Sequence, residues 1–154
     1  MSIYGIILTG LRCINGEWAM GNGEWGMGNR QWKGKMSEVN DFKDLRIWQK
    51  GMEIAKQCYF LTKQFPKDEL YGMVQQIRKS ASSIPANIAE GYGRISSGEY
   101  KRFLSIAQGS INELQTHLLL AEAVGLFEKS DIVSLIQELQ SETRMIINLM
   151  KKLN

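Results

Sequence analysis

From Leu45 onward, apolar residues recur at steps of three and four, the spacing that lines one face of an α-helix. Leu45, Trp48, Met52, Ala55, Tyr59, Thr62 and Phe65 form the first stripe, which Asp41 or Asp44 can cap and Pro66 closes. The second stripe is Leu70, Val74, Ile77, Ala81, Ile84 and Ile88, preceded by Asp68 and Glu69, acids suited to the positive end of a helix dipole. Pro85 falls inside it. Proline lacks a backbone N–H and crowds the carbonyl four residues earlier, and because the stripe continues to Ile88 the pattern predicts a kink near Pro85 rather than a break.

Gly91 and Gly93 then offer positive φ to end the second helix. Ser96 and Glu99 have capping-box spacing, each able to satisfy the other's free backbone N–H at the start of a third helix. Its stripe is Tyr100, Phe103 with Leu104, Ala107, Ile111, Leu114, Leu118 and Ala121, with Gly125 as terminator. Gly109 and Ser110 lie in its middle, where either close helix packing or a tolerated small residue accounts for an interior glycine. Ser130 can cap a fourth helix with Ile132, Leu135, Ile136, Leu139, Ile146, Leu149, Met150 and Leu153 as its apolar side. Short connections make successive helices antiparallel, so the expected fold is all-α, an up-down-up-down four-helix bundle. Ile106, Leu119, Leu120, Val124, Leu126, Phe127, Val133 and Ile147 exceed what one seam needs. A surplus of this kind marks an interface, and self-association accounts for it.

The segment before the helices is of another kind. Asn15-Gly16-Glu17-Trp18 returns seven positions later as Asn22-Gly23-Glu24-Trp25, and again in blurred form as Asn29-Arg30-Gln31-Trp32. Seven-residue periods usually mean coiled coils, but the glycines in each copy disfavour helix by roughly 1 kcal/mol apiece. Composition changes abruptly at Met36. Residues 1–35 are therefore expected to be a disordered extension or to lie upstream of the native start, with residues 36–154 forming the bundle domain; the functional alternative is a Trp-bearing tail that recruits a partner.

Composition narrows the function classes. The 154 residues carry a formal charge of +3, and of nineteen basic and sixteen acidic residues four and two precede Met36, which leaves the bundle region at only +1. Overall charge therefore does not single out a polyanionic partner. Cys13 and Cys58 are too few for a disulfide framework, and Ile3 to Leu11 is too short to span a bilayer and lacks a preceding basic residue, so a cytoplasmic protein without membrane contact is expected.

Candidate chemistry is sparse. A carboxylate-bridged di-metal bundle needs two Glu-x-x-His motifs, whereas the single histidine, His117, follows Glu113 by four positions. No phosphate loop is present, since Gly91-Tyr92-Gly93-Arg94 lacks the strand before it and the Lys-Ser/Thr after it. One histidine also leaves little from which to build a nucleophile, base and orienter. No enzyme, catalytic residue, metal site or cofactor is expected. What remains is a local excess between Gly72 and Asn112: Arg78, Lys79, Arg94, Lys101 and Arg102 against Glu90 and Glu99. Gathered near one rim and multiplied by symmetric copies, these five would attract the backbone of RNA or DNA; otherwise they serve a solvated face or ion pairs between subunits.

Residues 65–118 also carry a longer pattern: Phe65-Pro66, Glu69-x-Tyr71-Gly72, Gln76-Ile77-Arg78, Ser83-Ile84-Pro85-Ala86-Asn87-Ile88-Ala89-Glu90-Gly91, Gly93-Arg94, Phe103-Leu104, Ile106-Ala107, Gly109-Ser110 and Glu113-Leu114. This resembles the four helix bundle proteins encoded within intervening sequences of bacterial large-subunit ribosomal RNA genes, more weakly over residues 42–152 and not at all over 1–35. The resemblance implies a bundle that assembles into a ring, typically a homopentamer, with no catalytic site. The accessory variability proteins of diversity-generating retroelements look like the same barrel and bind nucleic acid together with a reverse transcriptase. That likeness implies RNA or DNA contact through Arg78, Lys79, Arg94, Lys101 and Arg102, and a reverse transcriptase or other protein as a further partner.

Overall fold

A computed structural model describes residues 13–14, 17–18 and 39–153. Four long helices make up the fold: α1 (Arg46–Leu61), α2 (Met73–Tyr92), α3 (Ser97–Ala123) and α4 (Lys129–Lys152). Each packs against its neighbour in sequence, and α1 also packs against α4, which closes a four-helix bundle. Ile54, Ile77, Ile84, Ile88, Leu104, Ile111, Leu114, Leu118, Leu139 and Ile146 are fully enclosed at its centre. Before the bundle, Cys13–Ile14 (β1) and Glu17–Trp18 (β2) pair antiparallel, Cys13 opposite Trp18. The strand pattern was not legible there, although the intervening Asn15-Gly16 is a dipeptide favoured by hairpins. Apart from these four paired residues, the expectations for the 1–35 extension and for a start at Met36 lie outside the described residues.

The helix ends follow from side-chain chemistry, with several differences from the sequence reading. Asp41 accepts from the Lys43 N–H at 3.1 Å and Asp44 accepts from the Asp41 N–H at 3.0 Å, but this reciprocal cap closes a 3-10 turn, Phe42–Asp44, rather than α1 itself. Asp68 and Glu69 belong to a separate 3-10 turn, Lys67–Glu69; Glu69 still serves the helix dipole, because its Oε2 accepts from the N–H of Met73 at 3.2 Å. Ser96 accepts from the Glu99 N–H at 3.2 Å as expected, but the Glu99 carboxylate accepts from the Ser96 hydroxyl, not from its backbone. The cap of α4 is Glu128, not Ser130: Glu128 and Asp131 each accept the other's backbone N–H.

Glycines and proline separate cleanly by environment. α2 runs unbroken through the buried Pro85 to Tyr92. Gly93 caps it with ordinary right-handed φ, so the positive φ expected at this turn is not used; Gly91 lies inside the helix for a different reason. A Cβ on Gly91 would stand 2.7 Å from the Phe103 Cβ and 2.8 Å from the Tyr100 ring, so only glycine lets α2 and α3 approach there. Gly125 does take positive φ, 79°, and the N–H groups of Gly125 and Leu126 bond the carbonyls of Glu122 and Ala121, both at 2.9 Å. This pairing ends α3 by the Schellman pattern. Gly109 faces open space, so of the two readings the tolerated small residue holds and close packing does not.

Leu45, Ala55 and Thr62 of the first stripe are buried as expected, but Trp48, Met52 and Tyr59 lie about one position off the core face. The core face of α1 is Ile47, Gly51, Ile54, Ala55 and Cys58, while Met52 and Tyr59 are exposed and Trp48 is half-buried. Small and polar residues occupy the tight side here: a Cβ on Gly51 would meet Ile84 at 3.3 Å, and buried Thr62 donates its hydroxyl proton to the Cys58 carbonyl at 2.8 Å. Leu70 likewise lies outside its helix, exposed.

Candidate functional site

The five basic residues fall into two groups. Arg78 and Lys79 stand near the start of α2, while Arg94, Lys101 and Arg102 surround the α2–α3 turn at the opposite end of the bundle. At about 1.5 Å per helical residue the groups are roughly 20 Å apart along the axis, so they do not gather on one rim. Arg78, Arg94 and Lys101 are also engaged with other groups. Arg78 donates from Nε to the Thr62 hydroxyl at 2.8 Å and stacks over the Tyr59 ring at 4.9 Å. Arg94 pairs with Glu90 and lies 4.5 Å above the Phe103 ring. Lys79 and Arg102 are exposed and Lys101 is half-buried.

Displacing Met52 and Tyr59 from the core creates a surface that the sequence reading missed. Between α1 and α2, Trp48, Met52, Ala55, Tyr59, Pro85 and Ala89 line an open hollow of about 390 Å³. It continues past Tyr59 and Ser82 into a second hollow lined by Leu70, Tyr71, Val74, Arg78 and Lys79. Tyr71 projects from it, 84% exposed. Lys56, Arg78 and Lys79 line these hollows and no acidic side chain does, although Lys56 is tied to Glu53 at 3.6 Å.

A second apolar surface matches the surplus noted in the sequence. Leu119, Leu120 and Val124 at the end of α3 are exposed, as is Val133 on α4, and Ile106 is exposed further up α3. Leu126 and Ile147 are half-buried, and Phe127 is buried against the Phe65 ring with centroids 4.6 Å apart. Four of the eight surplus residues are thus exposed on the two sides of the α3–α4 turn, called here the α3–α4 corner.

Inside the bundle stands one group that no stripe anticipated. Glu142 is fully buried, and neither carboxylate oxygen has a hydrogen-bond partner. Burial raises its pKa to about 8, with the Lys50 charge pulling the other way. Its position three after Leu139 and four before Ile146 was the available signal. Lys50 pairs with Glu138 at 3.8 Å, and Gln57 donates to the same carboxylate at 3.1 Å. The buried thiol of Cys58 is pushed up to about 12 by desolvation, which keeps it protonated and unreactive. His117 faces Glu113 at 3.7 Å on the flank of α3. Among the described residues, no three His, Cys, Asp or Glu side chains converge as metal ligands, and no helix is long and apolar enough to cross a membrane.

The family model for the 23S rRNA-intervening sequence protein matches residues 43–148. The chain belongs to that family. The match covers α1 to α3 and α4 as far as residue 148, and starts beyond the Trp repeat. Among solved structures, the chain is similar to a protein with unknown function from the S23 ribosomal protein family of Bacteroides thetaiotaomicron VPI-5482. The identity is 23%, the TM-score 0.62, and the likeness covers 68% of this chain and 98% of that one. At this identity the likeness concerns the fold. No curated protein matches the chain.

Proposed function

We propose that this intervening-sequence family member is a non-enzymatic, self-assembling module of the cytoplasm, whose copies close into a ring. The observation that carries the reading is the pair of apolar surfaces left uncovered on one subunit, the α1/α2 hollow and the α3–α4 corner. Side chains such as Met52, Tyr71, Leu119, Leu120 and Val124 lose about 25 cal/mol of hydration cost per Å² when covered, so assembly is the favourable outcome for them. Five copies is the ring size that the family resemblance implies. What favours a non-enzymatic role is the buried, protonated thiol of Cys58. Multi-angle light scattering of the purified chain tests the reading: assembled particles support it, and a monomer at all concentrations rejects it.

A second reading, contact with RNA or DNA, is favoured by the exposed Lys79 and Arg102, which a ring would present in several copies. Arg78 and Arg94 contribute less than the sequence reading assumed, because each is already held by an aromatic ring and a hydrogen-bonding partner. Binding carried by backbone charge weakens steeply with salt. Titration of single-stranded RNA and duplex DNA at two ionic strengths is expected to show weak association that disappears at the higher one. No association at the lower one removes this reading.

A further inference from the structure

Resting on the assembly reading, we infer that the contact between copies is head-to-tail: the hollow between α1 and α2 of one subunit receives the α3–α4 corner of the next. Three features of the single subunit lead there. The first is position across the bundle. α1 packs on α2 and α4, and α3 packs on the same two, so the α1/α2 pair and the α3/α4 pair form opposite sides. One contact between unlike sides covers both apolar surfaces of every copy, whereas a two-fold contact covers one and leaves the other in water.

The second feature is charge. The hollow carries Arg78 and Lys79 with no acid in its lining. The corner carries Glu128 and Asp131, and Glu122 lies half-buried one turn before them, against the single base Lys129. Hollow against hollow would set Arg78 and Lys79 facing their own counterparts, and corner against corner would do the same with carboxylates. Hollow against corner joins opposite charges around apolar centres, the arrangement that fixes partner and register.

The third feature is height. The ring contact between Phe65, in the α1–α2 connection, and Phe127, in the α3–α4 connection, shows that both connections lie at one end of the bundle. Tyr59, Tyr71 and Lys79, the part of the hollow nearer that end, lie close to the first connection, while Trp48 and Ala89 extend it toward the other end; Leu120, Val124 and Asp131 lie near the second connection. Surfaces at equal height relate successive copies with little rise along the bundle axis. Such a contact is compatible with a closed ring, which forms when the two faces are inclined to one another, and not with a helix that climbs along that axis. The Arg and Lys of α2 then act between subunits.

The test compares three full-length proteins by sedimentation velocity: wild type, a hollow variant (Tyr71→Ser with Lys79→Glu) and a corner variant (Leu120→Ser with Val124→Glu). All four positions are exposed, and far-UV circular dichroism with a thermal melt establishes that each variant is folded. If either pair fails to fold, Lys79→Glu or Val133→Ser alone replaces it. The expected result is an assembled wild type, and for each variant alone a dissociation constant raised about tenfold or more, so that it sediments as a monomer. The equimolar mixture of the variants is expected to give 1:1 heterodimers, because one intact hollow and one intact corner remain per pair. A mixture that stays monomeric, or a hollow variant that assembles like wild type, overturns the head-to-tail contact while leaving self-assembly standing. A hollow variant that still assembles but loses RNA binding also overturns it and gives the hollow to a nucleic acid. A monomeric wild type overturns both.

Discussion

At the residue scale, the largest departure from a simple apolar core is Glu142. Its carboxyl is enclosed without a hydrogen-bond partner and holds its proton up to about pH 8. The unfolded chain releases that proton near the ordinary value of 4.5, so the native state binds the proton more tightly. The stabilisation linked to it is complete below about 4.5 and is lost as pH rises through 8, at no more than about 1.4 kcal/mol per pH unit. Glu142→Gln keeps the shape without the titration. Urea melts at pH 5, 7 and 9 are expected to show wild type weakening with pH and the glutamine variant staying level across this interval. Equal slopes for the two proteins would remove Glu142 as the cause. Two glycines make a paired contrast at the same scale. Gly91→Ala drives a methyl group into Phe103 and Tyr100 and is expected to cost about 1–3 kcal/mol. Gly109→Ala meets open space and is expected to gain up to about 1 kcal/mol from helix propensity. Chemical denaturation of both variants checks the opposite signs.

At the element scale, α2 and α3 were the most legible because apolar residues recur along their enclosed faces at unbroken steps of three and four. Val74, Ile77, Ala81, Ile84 and Ile88, and likewise Tyr100, Leu104, Ala107, Ile111, Leu114, Leu118 and Ala121, are all buried as their spacing requires. α1 was read partly out of phase for a physical reason. Its enclosed side includes Gly51 and Cys58, which carry little apolar signal, while Met52 and Tyr59 carry a strong one and face outward. The periodicity that misplaced α1 is therefore the same feature that defines the hollow. The end of α3 was legible through Gly125, whose φ of 79° few other residues adopt without strain. Gly125→Ala is expected to cost roughly 1–2 kcal/mol. Hydrogen exchange should show the loss as faster exchange of the Gly125 and Leu126 amides, which bond back into α3.

At the scale of the whole molecule, spacing and family likeness agree on the bundle, and the family match over residues 43–148 places the four helices within one known group. The candidate site was only half legible. The corner residues Leu119, Leu120, Val124 and Val133 stood out as surplus along the chain, but the hollow needs two helices brought together and had no one-dimensional signature. The five basic residues form one run in sequence and two groups in space, because α2 carries Arg78 and Lys79 away from the turn that holds Arg94. Self-association gives both apolar surfaces a common use, and it is the claim on which the account of function rests. The most direct measurement is the mass of the full-length chain in solution by multi-angle light scattering across a range of concentrations. A discrete species at a whole multiple of 17.5 kDa is expected, and a 17.5 kDa particle that never associates would contradict the account.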